Sequence, residues 1–182
     1  MKRLATVLVL AAALAAPVAM AQEDVHGPYV VAALGRSHIN YDCGYYLDCR
    51  SATTTTGKLI AGYRFGVFAP ELWVLDFGKA DIGDAFGHRE LRLRAIGLNG
   101  TWYLHFGDDW KGLLRLGVAQ VSHKRTDDGR HLAYEGTFGL GVIRALTPAL
   151  SVELAWDVTR ADGNNTSTSI INLASAGLRL NF

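Results

Sequence analysis

The sequence holds only two cysteines, Cys43 and Cys49, and no second Cys/His pair at zinc-finger spacing follows them. That argues against a structural zinc site, so neither metal ligands nor a cofactor is expected. Excess charge is also missing. Eighteen Lys and Arg stand against 17 Asp and Glu, a formal net charge of +1. Nothing this balanced calls for nucleic acid. Beyond residue 27 there is no sustained helical period, and no second apolar run is long enough to cross a membrane as a helix.

What is present begins at the amino terminus. Lys2 and Arg3 precede an apolar stretch from Leu4 to Val18, followed by Ala19-Met20-Ala21. A charged start, an apolar middle and small residues at the end are the pattern of a cleaved secretory signal over residues 1–21. An uncleaved anchor is the alternative, and Pro17 with the small residues at the site favours cleavage. Residues 22–182 then form one domain. Losing Lys2 and Arg3 takes the formal charge from +1 to −1. Export favours a Cys43–Cys49 disulfide closing a short loop; two free thiols and half a metal site are the alternatives.

From Gly27 onward the polarity alternates with period two between turn-forming segments. Eight strands are predicted, over about 28–37, 53–65, 69–80, 88–103, 111–124, 131–145, 149–161 and 168–182. On the fifth, Leu114, Leu116 and Val118 oppose Arg115, Gly117 and Ala119. On the seventh, Val152, Leu154, Trp156 and Val158 oppose Ser151, Glu153, Ala155 and Asp157. The third is ambiguous, because Trp73, Leu75 and Phe77 share a face with Glu71. Links after strands two, four and six are short. Those after one, three, five and seven are longer or more polar, and hold His38–Ala52, Lys79–Gly87, Asp127-Asp128-Gly129 and Asp162–Ser167.

Short turns at one end and longer loops at the other are what a transmembrane barrel shows. In hydrocarbon every backbone group must be paired, and only a closed sheet lacks an edge. The expected fold is all-β, an eight-stranded antiparallel up-and-down transmembrane β-barrel, apolar outside and polar within. An even strand count puts both termini at the short-turn end, the periplasmic side. Tyr29, Tyr63, Phe65, Trp102, Trp110 and Phe182 are expected in interfacial aromatic girdles. A lipocalin-like or sandwich protein with an apolar interior is the soluble alternative.

Particular segments then carry a resemblance. Thr56–Phe65 with its Gly-Tyr-Arg-Phe ending, Glu71–Gly78 ending Asp-Phe-Gly, and Leu114–Ala119 resemble the second, third and fifth strands of outer membrane protein A-type barrels. Ser175–Phe182 resembles the terminal strand of bacterial outer-membrane barrels. The resemblance implies a Gram-negative outer-membrane location and delivery to the barrel-assembly machinery through Gly177, Leu180 and Phe182. The prototype continues into a peptidoglycan-binding domain where this sequence stops, so cell-wall tethering is not implied.

An eight-stranded interior is about wide enough for side chains to fill, so a broad pore is not expected. The register turns Lys58, Arg64, Arg115 and Arg179 inward with Glu71, Glu135, Glu153 and Asp157. Charges there must be paired, because an unpaired one in a low-dielectric interior is costly. Lys58, Arg64, Glu71, Arg115, Glu153 and Arg179 are read as structural ion pairs in preference to a gated ion path. Arg92 and Arg94, near the outer rim, are placed to meet lipopolysaccharide phosphates, with ordinary solvated rim charge as the plain alternative.

Several chemical look-alikes fail. Ala52–Lys58 mimics a phosphate loop, but Leu59 stands where Ser or Thr is required. The Asn99-Gly100-Thr101 and Asn164-Asn165-Thr166 sequons are chance matches in an envelope protein. His38, His88, His123 and His131 are read as solvated rim residues. Ser122 and His123 are adjacent, so they point to opposite faces of a strand and cannot pair. The His-x-Ser arrangement of lipid A-deacylating barrels is absent, and no enzyme is expected. The expected role is structural, in envelope integrity, among outer-membrane lipids and lipopolysaccharide. The alternative is an adhesin or ligand-binding barrel meeting an external ligand or host surface through its loops. A narrow passive channel and a lipid A-modifying enzyme rank below both.

Overall fold

The computed structural model describes residues 26–41, 52–84, 87–107, 109–124, 131–163 and 167–182, with backbone alone at the outermost strand positions. The expected signal segment and Cys43 and Cys49 lie outside the described residues, as does Asp127-Asp128-Gly129. Eight strands follow one another: β1 (His26–Tyr41), β2 (Ala52–Phe65), β3 (Phe68–Asp84), β4 (Gly87–His105), β5 (Trp110–Lys124), β6 (His131–Ala145), β7 (Leu150–Gly163) and β8 (Ser167–Asn181). Each pairs antiparallel with its neighbour, and β8 returns to β1 to close the barrel.

One rim carries the tight connections. Gly66 and Val67 join β2 to β3, and Gly66 sits at φ 59°, a left-handed turn position that suits glycine. The steps from His105 to Trp110 and from Ala145 to Leu150 are the other two short connections at this rim. The first residue of β1 and the end of β8 lie there as well, since His26 pairs with Phe65 and Tyr29 with Asn181.

At the far rim the β5–β6 connection spans the expected residues, and the others are shorter than expected. The link anticipated over Lys79–Gly87 is almost all strand, with β3 and β4 paired as far as Asp84 and Gly87 after an irregularity between Asp76 and Lys79. The link over Asp162–Ser167 shrinks in the same way, to residues 164–166. Polar composition signalled loop, yet an antiparallel ladder tolerates polar side chains wherever both faces meet water.

Alternation decides the two faces. Leu34, Leu98, Val118 and Leu178 point outward, each more than half exposed, within a continuous apolar wall. A water-soluble barrel does not expose apolar surface on that scale, so this wall faces lipid. Tyr63, Phe65, Phe106, Trp110 and Phe182 ring its turn side, all substantially exposed, and Phe68 packs on Trp102 with ring centroids 5.2 Å apart.

Two expectations are corrected. Tyr29 is no girdle residue: it points inward and is buried. Its parity with Val31 and Ala33 overrides its place near the strand end. A Cβ at Gly62 on the facing strand would strike the Tyr29 ring, so glycine there makes room for it. Nor is the interior uniformly polar. Trp73 and Leu75 share the inward face with Glu71, and Ile39, Ile60, Val121, Ile171 and Leu173 are buried with them. A closed eight-stranded lumen is a packed core, and apolar side chains fill it wherever charges are not grouped.

Candidate functional site

The turn-side half of the lumen holds a compact charged network. Glu71 on β3, Arg115 on β5, Glu153 on β7 and Arg179 on β8 all point inward and are almost fully buried. Arg115 Nε donates to Glu71 Oε2 at 2.8 Å, and its Nη2 donates to Glu153 Oε1 at 2.7 Å. Arg179 Nη2 donates to Glu153 Oε2 at 3.1 Å and lies 3.7 Å from Glu71 Oε1. Two guanidiniums and two carboxylates thus form a formally neutral ring across the barrel, each ion touching both ions of opposite sign.

Two tyrosines complete it. Tyr29 donates to Glu71 Oε1 at 2.7 Å, Tyr103 donates to Tyr29 at 3.0 Å, and Arg179 Nη1 donates to Tyr103 at 2.9 Å. The Arg179 guanidinium also lies 4.0 Å from the centre of the Tyr29 ring. That stacking is a cation–π contact in a desolvated site. Six strands contribute to this one network, so it crosslinks the barrel interior.

The remaining inward charges sit around it. Arg64, at the turn rim, donates through Nε to Gly66 O at 2.8 Å and lies over the Tyr103 ring. On the far side, Lys58 donates to Asp157 at 2.6 Å, joining β2 to β7 across the lumen. Glu135 is half-buried on the inward parity of β6.

The other sequence-derived positions are spread over the barrel. Gly177 faces inward against Ala33, whereas Leu180 and Phe182 face outward. Arg94 is exposed on the outer wall, and its Nε donates to Asp76 at 3.1 Å. Arg92 pairs in the ladder with Lys79 and Lys124, and its side chain lies outside the described residues. Among the described residues, no cluster of His, Cys, Asp and Glu is arranged to hold a metal ion.

Sequence reasoning missed Tyr29 and Tyr103 as members of the network. The signal was there for Tyr103, which alternates with the inward Asn99 and Thr101 while Trp102 takes the outer face.

Neither a family model nor a curated protein sequence matches the chain. Solved structures do. Neisserial surface protein A superposes with a TM-score of 0.72 at 18% identity, covering 86% of this chain and 97% of that one. The fold is that of the small outer-membrane barrels. The N-terminal β-barrel domain of Pseudomonas aeruginosa OprF superposes at TM-score 0.54 and 16% identity, covering 86% and 98%. Outer membrane protein AlkL, solved in lipid bilayers, does so at 0.54 and 14%, covering 91% and 95%. At these identities the likeness carries the eight-stranded transmembrane architecture and no site residue.

Proposed function

We propose that this chain is an integral outer-membrane barrel whose role is structural, contributing to envelope integrity. The observation that supports the reading best is the neutral ring of Glu71, Arg115, Glu153 and Arg179, which fills the lumen with mutually paired charges instead of leaving an aqueous path. A packed, crosslinked interior inside an apolar outer wall suits a rigid membrane-spanning body. A site for chemistry needs a reactive group held within reach of a partner in an accessible cleft. The ring instead commits its charged groups to one another, so a non-enzymatic role is the reading adopted. Arg94 belongs to the same proposal as a contact for lipopolysaccharide phosphates, with its partner Asp76 displaced or shared.

The test is envelope leakage of a bulky antibiotic in a deletion strain. Complementation by the full protein and by a version with shortened far-rim connections should both restore the barrier. If deletion causes no leak, the structural role fails. If only the full protein rescues, the connections carry the function and the adhesin or ligand-binding reading replaces it.

A further inference from the structure

Two donors inside the lumen have no acceptor among the described residues. Arg115 turns Nε and Nη2 to Glu71 and Glu153, and its Nη1 is left over. The indole Nε1 of Trp73 is unpaired as well. The two side chains are 1% and 5% exposed, so bulk solvent does not serve them. A buried N–H in that position has given up its hydration and gained nothing in return.

Both residues line one cavity. Around it stand Lys58 and Asp157, held together at 2.6 Å, and Asn99 and Thr137, held together at 2.9 Å. The cavity offers about 30 Å³ to the centres of water molecules. One water needs about 10–15 Å³ on that scale, so there is room for about two and none for an organic ligand.

Charge narrows the choice further. An anion would satisfy the two donors, but it would face Asp157 in the same lining and Glu71 and Glu153 just behind Arg115. A cation would face Lys58 and Arg115. A neutral molecule that both accepts and donates suits every wall. It accepts from Arg115 Nη1 and Trp73 Nε1, and it gives its own protons to the oxygens of Asp157, Asn99 and Thr137.

We infer that this cavity binds about two water molecules, which join the charged ring to the Lys58–Asp157 and Asn99–Thr137 pairs. The ring and its two tyrosines draw on β1, β3, β4, β5, β7 and β8. The two pairs add β2 through Lys58 and β6 through Thr137. Bridged by water, one interior network therefore ties all eight strands. The inference concerns the lumen alone and holds whatever role the barrel has in the envelope.

The experiment is a crystal structure of the protein purified and crystallised in sodium bromide, with diffraction recorded at the bromine absorption edge. Bromide gives an anomalous peak there and water gives none. The expected result is density within hydrogen-bond reach of both Arg115 Nη1 and Trp73 Nε1, about 3.2 Å or less, with no anomalous peak on it. The same waters should also reach Asp157 and at least one of Asn99 and Thr137.

An anomalous peak in the cavity overturns water as the occupant in favour of an anion. No density there, in a map that resolves waters at the two rims, overturns the site. Waters bonded to the two donors but missing either pair overturn the eight-strand tie.

Discussion

The two halves of the lumen are built on opposite principles. Toward the turns, charge is concentrated and answered: Glu71, Glu153, Arg115 and Arg179 reach one another across the barrel, and Tyr29 and Tyr103 take up oxygens and ring faces around them. Toward the far rim, Trp73, Leu75, Ile171 and Leu173 line the space, with one ion pair, Lys58–Asp157, at its edge. Backbone pairing does not follow this division. The β2–β3 ladder skips from Gly62↔Glu71 to Phe65↔Phe68 near the turns, and toward the far rim it ends at Gly57↔Asp76 while the β6–β7 ladder ends at Thr137↔Thr159. It is the side-chain crosslinks that concentrate at the turn end.

The comparison breaks most severely at Glu71. Glu71→Ala removes the acceptor shared by Arg115 and Tyr29 and leaves buried positive charge behind. A loss of about 3–5 kcal/mol is expected. Urea unfolding in detergent micelles measures it, and an unchanged midpoint would refute a stabilising ring. Neutralising two members together should do less harm. The Glu71→Gln, Arg115→Met double variant costs Arg179 its 3.7 Å contact with Glu71 but leaves the Arg179–Glu153 pair standing and keeps the network neutral. Its midpoint should fall between wild type and Glu71→Ala.

Tyr29→Phe sharpens the same end more gently. It deletes one hydroxyl bonded to a carboxylate, and about 1–3 kcal/mol is expected from hydrogen bonds of that kind. The far half should respond less than the ring does. Lys58→Met removes one partner of a pair whose carboxylate side chain keeps 19% exposure. Asp157 retains some access to solvent, so its unfolding midpoint should drop less than that of Glu71→Ala. The smallest effect belongs to the outer wall. Arg94→Ala breaks an exposed pair, worth about 0–1 kcal/mol. Stability should barely move while lipopolysaccharide co-purification falls; equal lipid content in the variant would remove Arg94 from that role.

Much of this architecture was legible before any coordinates. Alternation across Leu114–Ala119 and Val152–Asp157 placed Arg115, Glu153 and Asp157 on the inner face, because a residue's side of a strand follows from counting by two. The β3 segment resisted the same reading. Trp73 and Leu75 sit on Glu71's face, and no rule of alternation says that a lumen is charged at one height and apolar at the next. Tyr29 was misplaced for a related reason: an aromatic near a strand end suits an interfacial girdle as well as it suits a cavity opened by Gly62.

The sequence by itself determined the strand count, the antiparallel order, the inward parity of the charges and the apolar outer wall. Each of these follows from local periodicity and from the need to pair every backbone group in hydrocarbon. Only the tertiary structure decided which ion meets which. Glu71 and Arg115 belong to strands that are not neighbours, and their contact depends on the curvature that brings β3 and β5 face to face across the lumen. The parting of β6 from β7 was likewise decided in three dimensions. Where a ladder ends depends on how two strands diverge in a closed sheet, and no single strand carries that information.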